Sequence, residues 1–129
     1  MEKRIINPWQ WQDQRGYAQA VEVRRAESTL YISGQTATNA EGKSSAADMR
    51  TQLTAALQNL ELVIREAGYR PDGIVKLNVY TTSSEEFTGC FDVFLDWATK
   101  HGVKQTSTLL EVKGLFETLK VELEAVVVK

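Results

Sequence analysis

Glu122 and Glu124 stand two residues apart in Val121-Glu122-Leu123-Glu124-Ala125-Val126, where apolar and charged residues alternate. In a strand that spacing puts both carboxylates on one face. A carboxylate that reaches a substrate is a candidate general acid or base. Two together favour a neutral or cationic neighbour. A plainer role for Glu122, as a solvated strand residue or half of an interface ion pair, stands beside that one. Ser33 and Ser107 are candidate hydroxyls, but His101 is the only histidine and no histidine–acid arrangement accompanies either serine, which argues against a nucleophilic triad. Cys90 is the only cysteine, so no internal disulfide framework exists. It has no Cys or His at metal-ligand spacing, and no metal site is expected. Cys90 and His101 read as structural residues. Thr106-Ser107-Thr108 reads as β-propensity first and as polar site lining second.

These residues need a scaffold, and 129 residues with 43% hydrophobic content suffice for one α+β domain over 1–129. Ser45 to Gly68 organises it. Met49, Leu53, Ala56, Leu57, Leu60, Val63, Ile64 and Ala67 recur at helical steps, with Arg50, Gln52, Thr54, Gln58, Glu61 and Arg65 off the stripe. Ser45 with Asp48 reads as an N-cap pair and Gly68 as the C′ residue. A second helical stripe follows Ser83: Phe87, Phe91, Phe94, Leu95 and Ala98.

Strands are expected at Gly16 to Val23, Thr29 to Gln35, Ile74 to Thr81, Gln105 to Val112 and Leu119 to Val128, the first two forming a hairpin. Residues 1–15, with Trp9 and Trp11, read as an irregular arm lying across the domain or a neighbouring subunit. The order is β-β-α-β-α-β-β, with both helices on one face of the sheet. The other face would carry Tyr31, Ser33, Asn78, Tyr80, Glu122, Glu124, Val126 and Val128. That mixture suits a subunit interface with a site inside it.

The charge balance, 15 basic against 17 acidic residues with a pI near 5.5, disfavours phosphate-backbone binding, so nucleic acid is not an expected partner. No apolar run approaches membrane-spanning length, and Met1-Glu2-Lys3-Arg4 has no signal-peptide core after it. A cytoplasmic location is expected.

Ile32-Ser33-Gly34-Gln35, Gln52 to Leu60, Ala67-Gly68, Ile74-Val75-Lys76 and Val121 to Ala125, in this order, resemble the RidA/YjgF family. The resemblance covers roughly Gly16 to Val128. It implies a chorismate-mutase-like α+β fold and a homotrimer with small-molecule clefts between subunits. It also implies cofactor-free hydrolysis of reactive 2-imino acids to 2-keto acids and ammonia. Carried over residue by residue, Tyr17 matches the family's cleft tyrosine and Glu122 the glutamate that positions water. Ser33 and Gly34 match the backbone-lined part of the pocket. The family's carboxylate-gripping arginine falls on Ser107, its following cysteine on Leu109, and a cleft asparagine on Phe91. No arginine follows Arg70, and neither serine nor glutamine can replace a bidentate guanidinium. Lys104 and Lys120 are the candidate point charges. The expectation is a divergent member whose ligand lacks a free carboxylate, acting as an imine or enamine hydrolase or else as a non-catalytic ligand-binding or protein-interaction trimer.

Overall fold

The long helix forms where its apolar stripe predicts, and the computed structural model, which describes residues 1–129, shows what stops it at each end. Helix α1 spans Met49–Glu66. Its cap is Asp48, whose carboxylate accepts a hydrogen bond from the Thr51 amide at 2.9 Å. Ser45, expected in that role, instead accepts from Ala47 N in the preceding turn. At the other end Gly68 takes φ 80°, and the amides of Gly68 and Tyr69 donate to the Arg65 and Ile64 carbonyls. That pair of bonds closes the last turn. Met49, Leu53, Ala56, Leu57, Leu60 and Ile64 are buried, as is Gln52, which sequence placed off the stripe. The Gln52 amide donates to the carbonyls of Ser45, Ala47 and Thr118 and accepts from Lys120 N. Burial costs it nothing unsatisfied, and it ties two loops to the helix.

The sheet that receives α1 has four strands in the order β3-β6-β4-β5: β3 (Thr29–Gln35), β6 (Val121–Val128), β4 (Ile74–Thr81) and β5 (Thr106–Glu111). Only β4 and β5 run parallel. Between them the chain crosses over through α2 (Ser84–Gly89) and α3 (Phe91–Lys100). Sequence read these as one helix. The break falls at Cys90, after Thr88-Gly89, two weak helix formers, with Cys90 at φ −114° and ψ 13°. Ser83 caps α2 through the Glu86 amide at 3.1 Å. Ile32, Leu77, Val79, Leu123, Ala125 and Val127 meet α1, Phe87, Phe94 and Ala98 in one core.

The open sheet face needs one correction. Val128 is already buried in the single chain, at 6% exposure, whereas Tyr31 at 79% and the other expected members are not buried. At the start of β4 a bulge pairs Ile74 with Val127 and Lys76 with Val126, so that Ile74 is buried and Val75 only half-buried.

The N-terminal arm is ordered rather than irregular. Strand β1 (Glu2–Ile6) pairs antiparallel with β2 (Ala20–Arg24) in a ribbon of its own. The hairpin expected between Gly16–Val23 and Thr29–Gln35 does not form: β2 pairs with β1, and β3 pairs with β6. Across the ribbon Arg4 meets Glu22 at 3.0 Å and Arg25 meets Glu2 at 2.8 Å, exposed pairs that fit the register without dictating it. The observed order is β-β-β-α-β-α-α-β-β. No helix is long and apolar enough to cross a membrane.

Candidate functional site

The connection from β1 to β2 carries Tyr17, and a glycine fixes how. Gly16 ends a 3-10 turn over Asp13–Arg15 with φ 72°, and a Cβ there would stand 2.4 Å from Leu95 Cδ2. Both the conformation and the close approach demand glycine. The next residues dock on the start of β5: Ala18 N donates to the Gln105 carbonyl at 2.8 Å, and the Gln105 amide donates to the Gly16 carbonyl at 3.0 Å. This docking places Arg15 and Tyr17 on the rim of a cleft of about 510 Å³.

The cleft gathers four of the seven expected site residues: Tyr17, Phe91, Ser107 and Leu109. One wall is aromatic. Phe91 stacks on Phe94 at 5.7 Å between centroids and meets Phe87 edge-on at 6.0 Å. Ser107 spends its hydroxyl proton on the Leu77 carbonyl at 2.6 Å, leaving oxygen lone pairs free. The single charged lining residue is Arg15. Its guanidinium lies 5.0 Å from the ring of Trp11, which in turn meets Tyr17 edge-on at 6.5 Å.

Ser33, Gly34 and Glu122 lie elsewhere, on the open sheet face. A register shift between Ile32 and Gln35 brings Gly34 under Glu122, and a Cβ at residue 34 would stand 2.1 Å from Glu122 Oε2. Glu122 pairs across the sheet with Tyr80 and Glu124 with Asn78. The two carboxylates differ in availability. Glu124 accepts from the Tyr80 hydroxyl and from Asn78 Nδ2, and these bonds, tyrosine first, hold its pKa below the usual carboxylate range. The same bond, with burial, raises that of Tyr80. Glu122 takes no such hydrogen bond, so its carboxylate stays available to a partner. Ser33 lines a separate hollow of about 360 Å³ with Tyr31, Lys76 and Glu124.

Neither lysine candidate serves the cleft. Lys120 pairs with Glu86 at 3.2 Å, and Lys104 does not line it. No arginine follows Arg70, and the cationic lining residue is Arg15, well upstream of the Ser107 segment. Its adjacency to Gly16-Tyr17 was the available signal. Gln105 was likewise missed as a lining residue, since it sat inside a segment read for its serine. No cluster of three His, Cys, Asp or Glu side chains is placed to hold a metal ion. His101 contacts Glu61 at 3.0 Å and packs on Trp97, joining α3 to α1.

An α+β fold with a small-molecule-sized cleft at the sheet edge defines the class, and comparison with known proteins gives the family. The model of the Endoribonuclease L-PSP family matches residues 11–129. A RutC family protein from Aquifex aeolicus is 32% identical over 113 residues, covering 88% of each chain. A crystal structure of YyfB from Yersinia pestis, described as a protein of unknown function of the conserved Rid family, superposes with a TM-score of 0.85 at 30% identity over 100% of both chains. TdcF from Escherichia coli, named a putative reactive intermediate deaminase, is 25% identical over 88% of this chain and 86% of its own. Its structure with bound serine superposes with a TM-score of 0.69, covering 88% of this chain and 87% of that one. The chain belongs to this family, the RidA/YjgF family, and has its α+β fold.

Proposed function

We propose that three copies of the chain assemble with their open sheet faces inward, and that each cleft hydrolyses an imine- or enamine-type nitrogenous metabolite without a cofactor. The observation that carries this reading is the division of the family-matched residues. Tyr17, Phe91, Ser107 and Leu109 line one cleft, whereas Ser33, Gly34 and Glu122 stand on the face that a neighbour would cover. A site split in this way is complete only when two copies meet. The name of TdcF, a putative reactive intermediate deaminase, points to the same chemistry.

In this mechanism Glu122 of the adjoining copy orients a water molecule and takes its proton as the oxygen adds to the imine carbon. The C=N bond becomes C–N as the proton taken from water passes from Glu122 to the nitrogen. The carbinolamine hydroxyl proton then moves to the same nitrogen, the C–N bond breaks, and ammonia leaves the carbonyl product. Backbone amides near Gly34 and Ser107 polarise the reacting group. Tyr17 closes the cleft over it.

Ser107 in place of the arginine favours a second reading, a binding trimer without turnover. Ammonia release from imines freshly generated in the presence of the purified protein separates the two. Hydrolysis above the spontaneous rate that Glu122→Gln removes supports the enzyme. Binding without any acceleration leaves only the second reading.

A further inference from the structure

We propose that the cleft takes an anionic ligand, with the Arg15 guanidinium at the rim as the anion-binding group and the amide oxygen of Gln105 as acceptor for a ligand N–H. This deepens the cleft reading above and rests on it. It also revises the expectation, drawn from Ser107, that the ligand carries no carboxylate.

Two independent observations meet here. The first is charge. Arg15 is exposed at the rim, its guanidinium is held against Trp11 at 5.0 Å, and no carboxylate of the chain lies within ion-pair distance of it. No acidic residue of the same chain lines the cleft, which leaves Arg15 its one charged group there. An aromatic face leaves the edge of a guanidinium free to present paired N–H donors to an anion.

The second is an unsatisfied acceptor. Gln105 is fully buried, lines the cleft, and has Oε1 without any donor. The amide cannot flip to remedy this, because its Nε2 is needed by the Gly16 carbonyl at 3.0 Å. A buried acceptor left without a donor is costly, and a ligand N–H entering beside it would relieve that cost. The same Gln105–Gly16 bond anchors the turn that carries Arg15. The same cleft carries the aromatic wall of Phe91, Phe94 and Phe87. The matching ligand is a flat apolar body with an anion at one end and an N–H at the other. It is larger than the smallest 2-imino acids, whose carboxylate the arginine at the Ser107 position would hold.

The test is calorimetric titration of the full chain with three stable probes. Indole-3-acetate has the anion and the N–H, indole-3-acetamide lacks the charge, and 1-methylindole-3-acetate lacks the N–H. The wild type should bind indole-3-acetate most tightly. Arg15→Ala should weaken it by about tenfold or more while leaving indole-3-acetamide unchanged, and Arg15→Lys should lie between. N-methylation should weaken binding to the wild type and to Arg15→Ala by the same factor. If Arg15→Ala changes neither charged nor neutral probe, the cleft stands and the arginine assignment falls. If the methylated probe binds as well as its parent, the Gln105 acceptor role falls. If no probe binds at millimolar concentration, the cleft reading falls with both.

Discussion

Glu122 and Glu124 illustrate how two identical side chains, two residues apart, acquire different work. Glu124 is occupied by Tyr80 and Asn78, while Glu122 lies over Gly34 with no donor of its own. Replacing Glu122 with Gln should therefore lower any imine hydrolysis by about a hundredfold or more, the usual scale of a lost general base, without reducing thermal stability. Glu124 answers a different test. Its lowered pKa means that the Tyr80 bond stabilises the fold above the carboxylate range and that this contribution is lost as pH falls through the folded-state value. Tyr80→Phe should accordingly be less stable than wild type at neutral pH, and the gap should close in acid; denaturant midpoints across that range check it. At Ser107 the prediction concerns gain. Ser107→Arg, with its side chain in the cleft, should raise hydrolysis of 2-iminopropanoate by at least about tenfold, the worth of one charge-assisted hydrogen bond. A folded trimer of that variant with no gain would shift suspicion to Phe91.

Helix α1 sets the energetics at the scale of elements. Leu57 and Leu60, at 2% and 0% exposure, sit at the centre of its stripe. Either change to Ala should cost about 2–5 kcal/mol in chemical denaturation. Gly34→Ala should disturb the sheet differently, because its Cβ would displace the Glu122 carboxylate rather than empty a core position. Activity should fall further than stability. Sequence located α1, β3, β4, β5 and β6 within a few residues of their limits. The failures have local causes. β1 was hidden because Glu2-Lys3-Arg4 looks solvated, and only pairing with Glu22 and Arg24 across the ribbon makes it a strand. The Cys90 break was masked by a phenylalanine stripe that continues across it. Arg15 was overlooked because a loop residue is brought to β5 by tertiary hydrogen bonds that no local pattern announces.

For the whole molecule, the decisive feature is that the residues matched to one family site occupy two separate parts of a single chain. The cleft lies where the N-terminal connection meets β5, and the Ser33–Gly34–Glu122 group lies on the sheet face. That face is neither a core nor an ordinary solvent surface. It exposes Tyr31 at 79% and leaves Val126 half-buried beside a carboxylate cluster. In the proposed trimer a second copy covers this face, and Glu122 serves its cleft. Light scattering of the purified protein at micromolar concentration tests this most directly. The expected mass is three times that of the 14.5 kDa chain. A monomer mass under those conditions would leave Glu122 with no cleft to serve and would contradict the trimeric site.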